Sequence, residues 1–110
     1  MFRKEVTIPL KSDQSTATGE LYAQPAKQGG IYLTIMLHGL DDLHTQSVLH
    51  VDHPEKKNRF PLPVPCHGTI ELCLWSCMSL ETLMQSEIGV YHTNGQKIFI
   101  PQKDLQKPLK

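Results

Sequence analysis

Histidine and cysteine are the residues of this chain best able to do chemistry, and both are frequent for its length. The 110 residues include six histidines and three cysteines. Imidazole nitrogen and thiolate sulfur are ligands that zinc favours, and a thiolate beside an imidazole is a nucleophile. A zinc site and a thiol-dependent reaction are therefore the first two hypotheses to test against the spacing.

The candidate metal ligands are His50, His53, Cys66 and His67. His50 and His53 are three residues apart, and on an extended strand this spacing directs them to opposite faces. The adjacent Cys66 and His67 point apart for the same reason. Because no spacing matches a zinc signature, we expect no cofactor. The alternative is a small metal- or thiol-dependent enzyme whose zinc ligands or thiol–imidazole pair are assembled near the 54–67 loop.

The number and spacing of the cysteines disfavour a disulfide or a cysteine-based metal site. Three is an odd number, so we predict free, mostly buried thiols in a reducing compartment. Cys73 and Cys77 form a C-x-x-x-C pattern. On a strand their sulfur atoms would lie about 13 Å apart, which is too far for one metal ion.

A proline-rich segment, Phe60–Pro65, has proline at every second position. Proline cannot continue a helix, so the segment is predicted to be extended, close to polyproline II. We expect it to interrupt regular structure from 54 to 65, either as a strap over the core or as a protruding ligand. Its apolar side chains are the candidate binding residues for a partner: Phe60, Leu62 and Val64.

The charge balance gives no general preference for nucleic acid or for a membrane. The 11 basic and 11 acidic side chains cancel. Three short basic blocks, together with Tyr91 and Phe99, leave single-stranded nucleic-acid binding as a further alternative. No stretch approaches the roughly 20 apolar residues of a membrane span, and the charged start does not resemble a secretory signal. We therefore expect a cytoplasmic protein.

The elements that position these residues are predicted to be mainly strands. Apolar and polar residues alternate with period two at 6–10, 20–24, 31–38, 46–53 and 69–75. Pro9 cannot donate to a ladder, so it assigns the first strand to a sheet edge. The third strand is apolar on both faces, which indicates a central position.

A short helix is predicted near 79–88. Its apolar residues recur at helical spacing: Leu80, Leu83, Met84 and Ile88. Ser79 suits the N-cap position and Gly89 the position just after the C-terminus.

The chain then returns in a predicted hairpin. Asn94-Gly95 is the preferred pair for a two-residue type I′ turn. This turn sets Tyr91 opposite Ile98. It likewise sets Val90 opposite Phe99.

These patterns predict an α+β domain that is mainly antiparallel, with six to seven strands in a rolled sheet or small barrel and one short helix. A single domain is expected over 1–101, followed by a polar tail over 102–110. The length suffices for one core, but not for a Rossmann dehydrogenase or a complete α/β hydrolase.

Because the sequence has no intact catalytic motif, the leading hypothesis is a small cytosolic, non-enzymatic binding or adaptor protein. It would recognise another protein through an edge strand or through the proline-rich loop. A homo-oligomer formed through an edge strand is the second expected kind of partner. Nucleic acid is not the expected partner, and a membrane is not expected.

Overall fold

The structure is a computed structural model that describes residues 5–12 and 16–101. The described residues form β1 (Val6–Lys11), β2 (Thr18–Pro25), β3 (Ile31–His38), β4 (Ser47–His53), β5 (Lys56–Leu62), β6 (Ile70–Ser76), α1 (Leu80–Met84), β7 (Glu87–His92) and β8 (Lys97–Pro101). The mainly antiparallel α+β class with a short helix is confirmed, although these residues form eight strands rather than six to seven. The predicted tail, 102–110, lies outside the described residues.

All eight strands within the described ranges belong to one sheet, in which every strand is antiparallel to its neighbours. Their order is β5-β4-β7-β8-β1-β2-β3-β6. The sheet curls into a nearly closed, barrel-like form, so the small-barrel prediction fits. Its two edge strands, β5 and β6, are connected by the loop 63–69, and no ladder joins them in the described part of the chain.

One face of the sheet supplies a single apolar core. The period-two alternation predicted for the third strand is seen in β3, whose alternate residues are at most 1% exposed: Ile31, Leu33, Ile35 and Leu37. Leu49 and Val51 of β4 and Phe99 of β8 are also fully buried. Each such side chain stabilises the fold by roughly 1.5–3 kcal/mol relative to exposure. The outward-facing residues are therefore carried on a well-anchored sheet.

The prediction that β1 is an edge strand is wrong. It pairs with β2 along its whole length and with β8 at Leu10 and Lys11. Pro9 is tolerated because the ladder with β8 begins only after it. The part of β1 before Leu10 has no ladder with β8. Near it, the buried Leu83 of α1 lines a small cavity together with Ile8.

The helix α1 is shorter than the predicted 79–88 segment. The Ser79 N-cap is confirmed, since its hydroxyl accepts a hydrogen bond from the Thr82 N–H at 3.0 Å. The helical spacing does not extend to Ile88, because the chain from Glu87 onward pairs with β4. Gly89 is thus a strand residue rather than a helix terminator. No helix among the described residues is long and apolar enough to cross a membrane.

The hairpin between β7 and β8 has a three-residue loop instead of a type I′ turn. The His92 N–H donates to the Gln96 carbonyl at 2.8 Å, and the Gly95 N–H donates to the His92 carbonyl at 2.9 Å. Gly95 has a φ of +94°. This arrangement is a type I turn followed by a left-handed glycine, the usual three-residue alternative.

The longer loop changes the register of the two strands. Val90 lies opposite Phe99, as predicted. Tyr91 lies opposite Lys97, so the predicted partner Ile98 is wrong. The extra loop residue accounts for the Tyr91–Lys97 pair, and a register shift between Val90 and Tyr91, with Ile98 as the extra residue on β8, returns Val90 to Phe99.

The largest difference from the sequence expectation is β5. The prolines and basic residues predicted an interruption from 54 to 65, but the chain turns at Pro54-Glu55 and pairs with β4 from Lys56 to Leu62. Leu62 is 1% exposed and belongs to the core. Prolines are accepted here because an edge strand needs donors on only one side.

Candidate functional site

The four predicted metal ligands are not brought together. His50 lies within β4 and His53 at its end, whereas Cys66 and His67 lie in the loop beyond the far end of β5. The described residues contain no group of three or more His, Cys, Asp or Glu that could hold a metal ion. The structure therefore offers no support for a zinc centre built from these four residues.

His53 has other partners. Its Nδ1 accepts a hydrogen bond from the Glu55 N–H at 3.2 Å, and its Nε2 lies 3.3 Å from the Gln85 side-chain oxygen. In the neutral imidazole, the proton is then on Nε2. Cys77 and His53 line the same cavity, which has a volume of about 230 Å³. Because both ring nitrogens of His53 are engaged, it is not positioned to take the proton of the Cys77 thiol.

All three cysteines are free, as predicted, but all three are exposed. The prediction of buried thiols is therefore wrong. Cys73 lies on the outer face of β6, because the inner face of that strand is occupied by leucines. Cys77 follows the strand, and Cys66 lies in a surface turn.

That turn is tight and has a defined geometry. The Cys66 N–H donates to the Thr69 carbonyl at 2.9 Å, and the Thr69 N–H donates to the Cys66 carbonyl at 3.0 Å. His67 and Gly68 between them both have positive φ, at 54° and 76°. This is a two-residue type I′ turn. It directs the backbone groups of Thr69 towards Cys66, immediately before β6 begins.

The orientation of Thr69 sets the phase of the β6 backbone. Successive residues of a strand in an antiparallel ladder direct their N–H and C=O groups to alternate sides. Every second residue after Thr69 therefore directs these groups away from β3: Glu71, Cys73 and Trp75. The carbonyl of Ser76 agrees with this phase, since it is directed at Gly30 beside β3. We call the N–H and C=O groups of Glu71, Cys73 and Trp75 the β6 edge. No strand in the described part of the chain pairs with this edge.

The side chains around the β6 edge leave it accessible. Trp75 is 46% exposed, and its indole N–H donates to the Gly29 carbonyl at 2.9 Å, which fixes the ring over Gly30. On the inner face, Leu72 and Leu74 pack against the core but are only half-buried. The β6 strand contains neither lysine nor proline, the residues that commonly protect an edge.

The β5 edge differs in its backbone. His53 and Lys56 are the pair that closes a two-residue turn, and such a pair is hydrogen-bonded. Lys56 therefore directs its backbone groups towards β4. Because the direction alternates along the strand, every second residue from Lys57 directs its backbone groups away from β4. These residues are Lys57, Arg59 and Pro61, and Pro63 and Pro65 follow in the loop beyond the strand. Pro61 has no N–H to offer. Pro61 thus removes one of the three N–H donors with which β5 could pair with β6, and Lys57 and Arg59 keep theirs.

The β5 edge also differs in its charge. Arg59 forms an ion pair with Asp52 on β4, and both side chains are partly exposed. Lys57 is exposed and makes no ion pair among the described residues. Together with Lys56, these residues make the edge basic, whereas β6 carries a single charge, that of Glu71.

The space bounded by β5 and β6 is the β5–β6 gap. The Cys66–Thr69 turn lies at one end, and the cavity that Lys56 and Asn58 share with Ser76 lies at the other. Half-buried Phe60, Leu72 and Leu74 lie on the inner faces of the two strands that bound the gap, packed against the core. Of the predicted binding residues, Phe60 thus borders the gap, Leu62 is in the core and Val64 is 48% exposed in the loop.

A second surface lies on the outer face of β4 and β7. The rings of His50 and Tyr91 are stacked, with centroids 4.0 Å apart and planes inclined by 22°. Gly89 leaves room for this, since a Cβ there would lie 2.9 Å from the tyrosine ring. Burial lowers the pKa of His50, the Arg59 guanidinium lowers it further, and the Asp52 carboxylate opposes both. The stacked imidazole is therefore neutral at pH 7.

The structure weakens the nucleic-acid alternative at this surface. Of the two aromatic residues that supported it, Phe99 is 0% exposed and lies in the core. Tyr91 is half-buried in its stack, with the Lys97 Nζ 6.0 Å from the ring centroid, at the outer limit of a cation–π contact. Stacking of successive bases needs more exposed rings than these two residues provide.

The described residues thus define a small antiparallel, barrel-like domain with one protected and one open edge. The chain matches no protein-family model, no curated protein and no solved structure. The β6 edge was missed by sequence reasoning. No local signal could have found it, because a strand without lysine or proline is typical of the inside of a sheet.

Proposed function

We propose that this chain is a small, cytoplasmic, non-enzymatic binding module that captures an extended segment of a partner protein. The segment adds a strand at the β6 edge, inside the β5–β6 gap. The observation that carries the proposal is the row of unpaired N–H and C=O groups on Glu71, Cys73 and Trp75. Strand addition satisfies such groups through the main chain of the partner, while alternate side chains supply specificity.

The apolar lining of the gap supports the same conclusion. Leu72 and Leu74 face the core but are half-buried, and within the described residues no strand pairs with β6 on the side away from β3. An added strand would cover them, together with Phe60. In this proposal the proline-rich segment contributes by keeping the gap open and not by acting as the ligand.

The expected affinity is modest. Six main-chain hydrogen bonds contribute roughly 0.5–1.5 kcal/mol each, and ordering of the partner segment offsets much of that gain. We therefore expect dissociation constants on the order of 10–1000 µM for short segments.

Selection from a displayed library of random ten-residue segments tests the proposal. The selected segments are then titrated against Cys73→Pro and Cys73→Val. Proline removes the one N–H at the centre of the β6 edge without removing a bond to β3, whereas valine keeps it. We expect about 10-fold weaker binding to Cys73→Pro and less than about 2-fold change with Cys73→Val.

Thermal unfolding of both variants checks that they remain folded. Equal affinity of the selected segments for Cys73→Pro and the parent protein would contradict strand addition at β6. The homo-oligomer expectation is tested alongside by sedimentation. A dimer that forms with rising protein concentration and is lost in Cys73→Pro would identify a second copy as the partner.

A further inference from the structure

The strand order fixes the direction that a captured segment takes. Strand directions alternate through the whole sheet, so β5 and β6 run antiparallel to each other. A strand between them must be antiparallel to one and parallel to the other. Antiparallel pairing is the more stable per residue, and β6 offers complete donor and acceptor sets, whereas β5 does not. The segment therefore runs antiparallel to β6.

The phase of β6 then fixes which side chains meet. In a five-residue core, the first, third and fifth residues lie opposite Trp75, Cys73 and Glu71 on the outer face. The second and fourth lie opposite Leu74 and Leu72 on the inner face. These two positions favour apolar, β-branched side chains, because they complete a core surface that is now half-exposed.

The charges at the two ends of the gap differ in sign. Lys56 and Ser76 line the same cavity at one end of the gap. Their chain neighbours Lys57 and Trp75 therefore lie at that end too. Glu71 lies at the other end. Lys57 and Glu71 both lack an ion-pair partner among the described residues. Opposite charges that face each other across neighbouring strands are stabilising, and like charges are destabilising.

Resting on the proposed function, we infer that the captured segment has the pattern acidic, apolar, any residue, apolar, basic, read from its N-terminus. The acidic residue faces Lys57, the apolar residues cover the two leucines of β6, and the basic residue faces Glu71. Reversing the order of the charges at constant composition places like charges together at both ends.

Three capped peptides test the pattern. They are Thr-Glu-Val-Thr-Val-Lys-Thr, its charge-exchanged form Thr-Lys-Val-Thr-Val-Glu-Thr, and a neutral form with glutamine at both charged positions. Trp75 is the only tryptophan and borders the gap, so its fluorescence reports binding directly. We expect the first peptide to bind about 10-fold more tightly than the charge-exchanged peptide, with the neutral peptide between them.

Protein variants test which residues read the charges. In the double variant Lys57→Glu, Glu71→Lys the preference between the two charged peptides should be reversed. Both side chains are exposed, so the fold is retained, which thermal unfolding checks. Lys97→Glu, on β8 and away from the gap, is the matched control and should keep the original preference. A preference that is unchanged in the double variant would overturn the inference.

N-methylated peptides separate failure of the pattern from failure of strand addition. In the five-residue core of the peptide, the N–H of the third residue, threonine, faces β6, and the N–H of the fourth residue, valine, faces β5. Only methylation of the threonine N–H should therefore weaken binding, by about 10-fold. Equal binding of all three charge forms, with this methylation effect intact, overturns the pattern and leaves strand addition standing. No binding of any form at about 5 mM overturns the pattern, and the library selection then decides the proposed function alone.

Discussion

The two edges of the sheet, β5 and β6, border the same gap, yet only one of them is protected. β5 directs the backbone groups of Lys57, Arg59 and Pro61 towards the gap; two of these residues are basic, and Pro61 has no N–H. β6 directs Glu71, Cys73 and Trp75 there with complete backbone groups. Edge strands tend to pair with any available strand unless charge or proline prevents it.

This difference offers a physical reason why no ladder joins β5 and β6 among the described residues, although their directions would allow one. Eight alternating strands could close without any parallel pair, since β5 and β6 already run in opposite directions. The missing N–H of Pro61 and the basic side chains of β5 both disfavour pairing of β5 with β6. In the proposed function, the unpaired edge of β6 is the place where a segment of another chain would add.

The largest expected effect comes from disturbing the support of the open edge. Gly30→Ala places a Cβ 2.2 Å from the Ser76 carbonyl oxygen and 2.9 Å from the Trp75 ring. Backbone and a fixed ring cannot yield cheaply, so we expect a loss of about 2–4 kcal/mol in the free energy of unfolding. Denaturant unfolding followed by far-ultraviolet circular dichroism measures it.

Gly29→Ala is the matched control. Gly29 also has a positive φ, of +99°, but a Cβ there meets nothing within 4 Å. The conformational penalty is then expected alone, at about 1–2 kcal/mol. Equal losses in the two variants would show that the contact with Ser76 and Trp75 is unimportant for β6.

The second prediction removes the protection of the other edge. The double variant Pro61→Val, Pro63→Val restores one N–H donor to β5, at position 61, and one to the loop that directly follows it, at position 63. We expect β5 and β6 to pair, which slows amide hydrogen exchange at Glu71 and Cys73 by about 10-fold and weakens segment binding similarly. Exchange is measured residue by residue by NMR.

Pro9→Val is the control for that experiment, since Pro9 is also an exposed strand proline but lies on β1. It should leave the exchange of the β6 amides unchanged. If the β5 double variant also leaves them unchanged, the width of the gap and not the lack of donors separates the two edges.

Local pattern and strand order contributed unequally to what the sequence could predict. The alternation in β3 is a local property, because period-two burial needs only one residue set facing the core. β5 has the same alternation, with Phe60 and Leu62 inward and prolines outward. Its basic and proline residues hid that alternation, and only pairing with β4 shows it to be a strand.

The candidate site was harder to predict because an edge is a non-local property. The residue types of Glu71, Cys73 and Trp75 do not indicate that β6 has a neighbouring strand on one side only. That follows from the order of all eight described strands. The position at which α1 ends was also wrongly predicted for a non-local reason. The helical spacing of apolar residues continues to Ile88, but the pairing of β7 with β4 makes the chain a strand from Glu87 onward.

The smallest expected effect concerns the charge of the protected edge. Arg59 is one cause of the lowered pKa of His50, after burial, and the Asp52 carboxylate opposes it. Arg59→Gln removes the cation and frees that carboxylate from its ion pair, so both changes raise the pKa of His50. An NMR titration of the imidazole measures the direction, with Lys56→Gln as the control that should shift it less.

The sign for stability follows from the same pKa. A histidine whose folded pKa lies below its unfolded value contributes stability that is fully present above the unfolded pKa and is lost as the pH falls through the folded pKa. The parent protein should therefore lose a small part of its stability below about pH 6.5, and Arg59→Gln should lose less. An acid-dependent loss in Arg59→Gln equal to that of the parent would show that the charge of Arg59 does not act on His50, and a larger loss would contradict the expected sign.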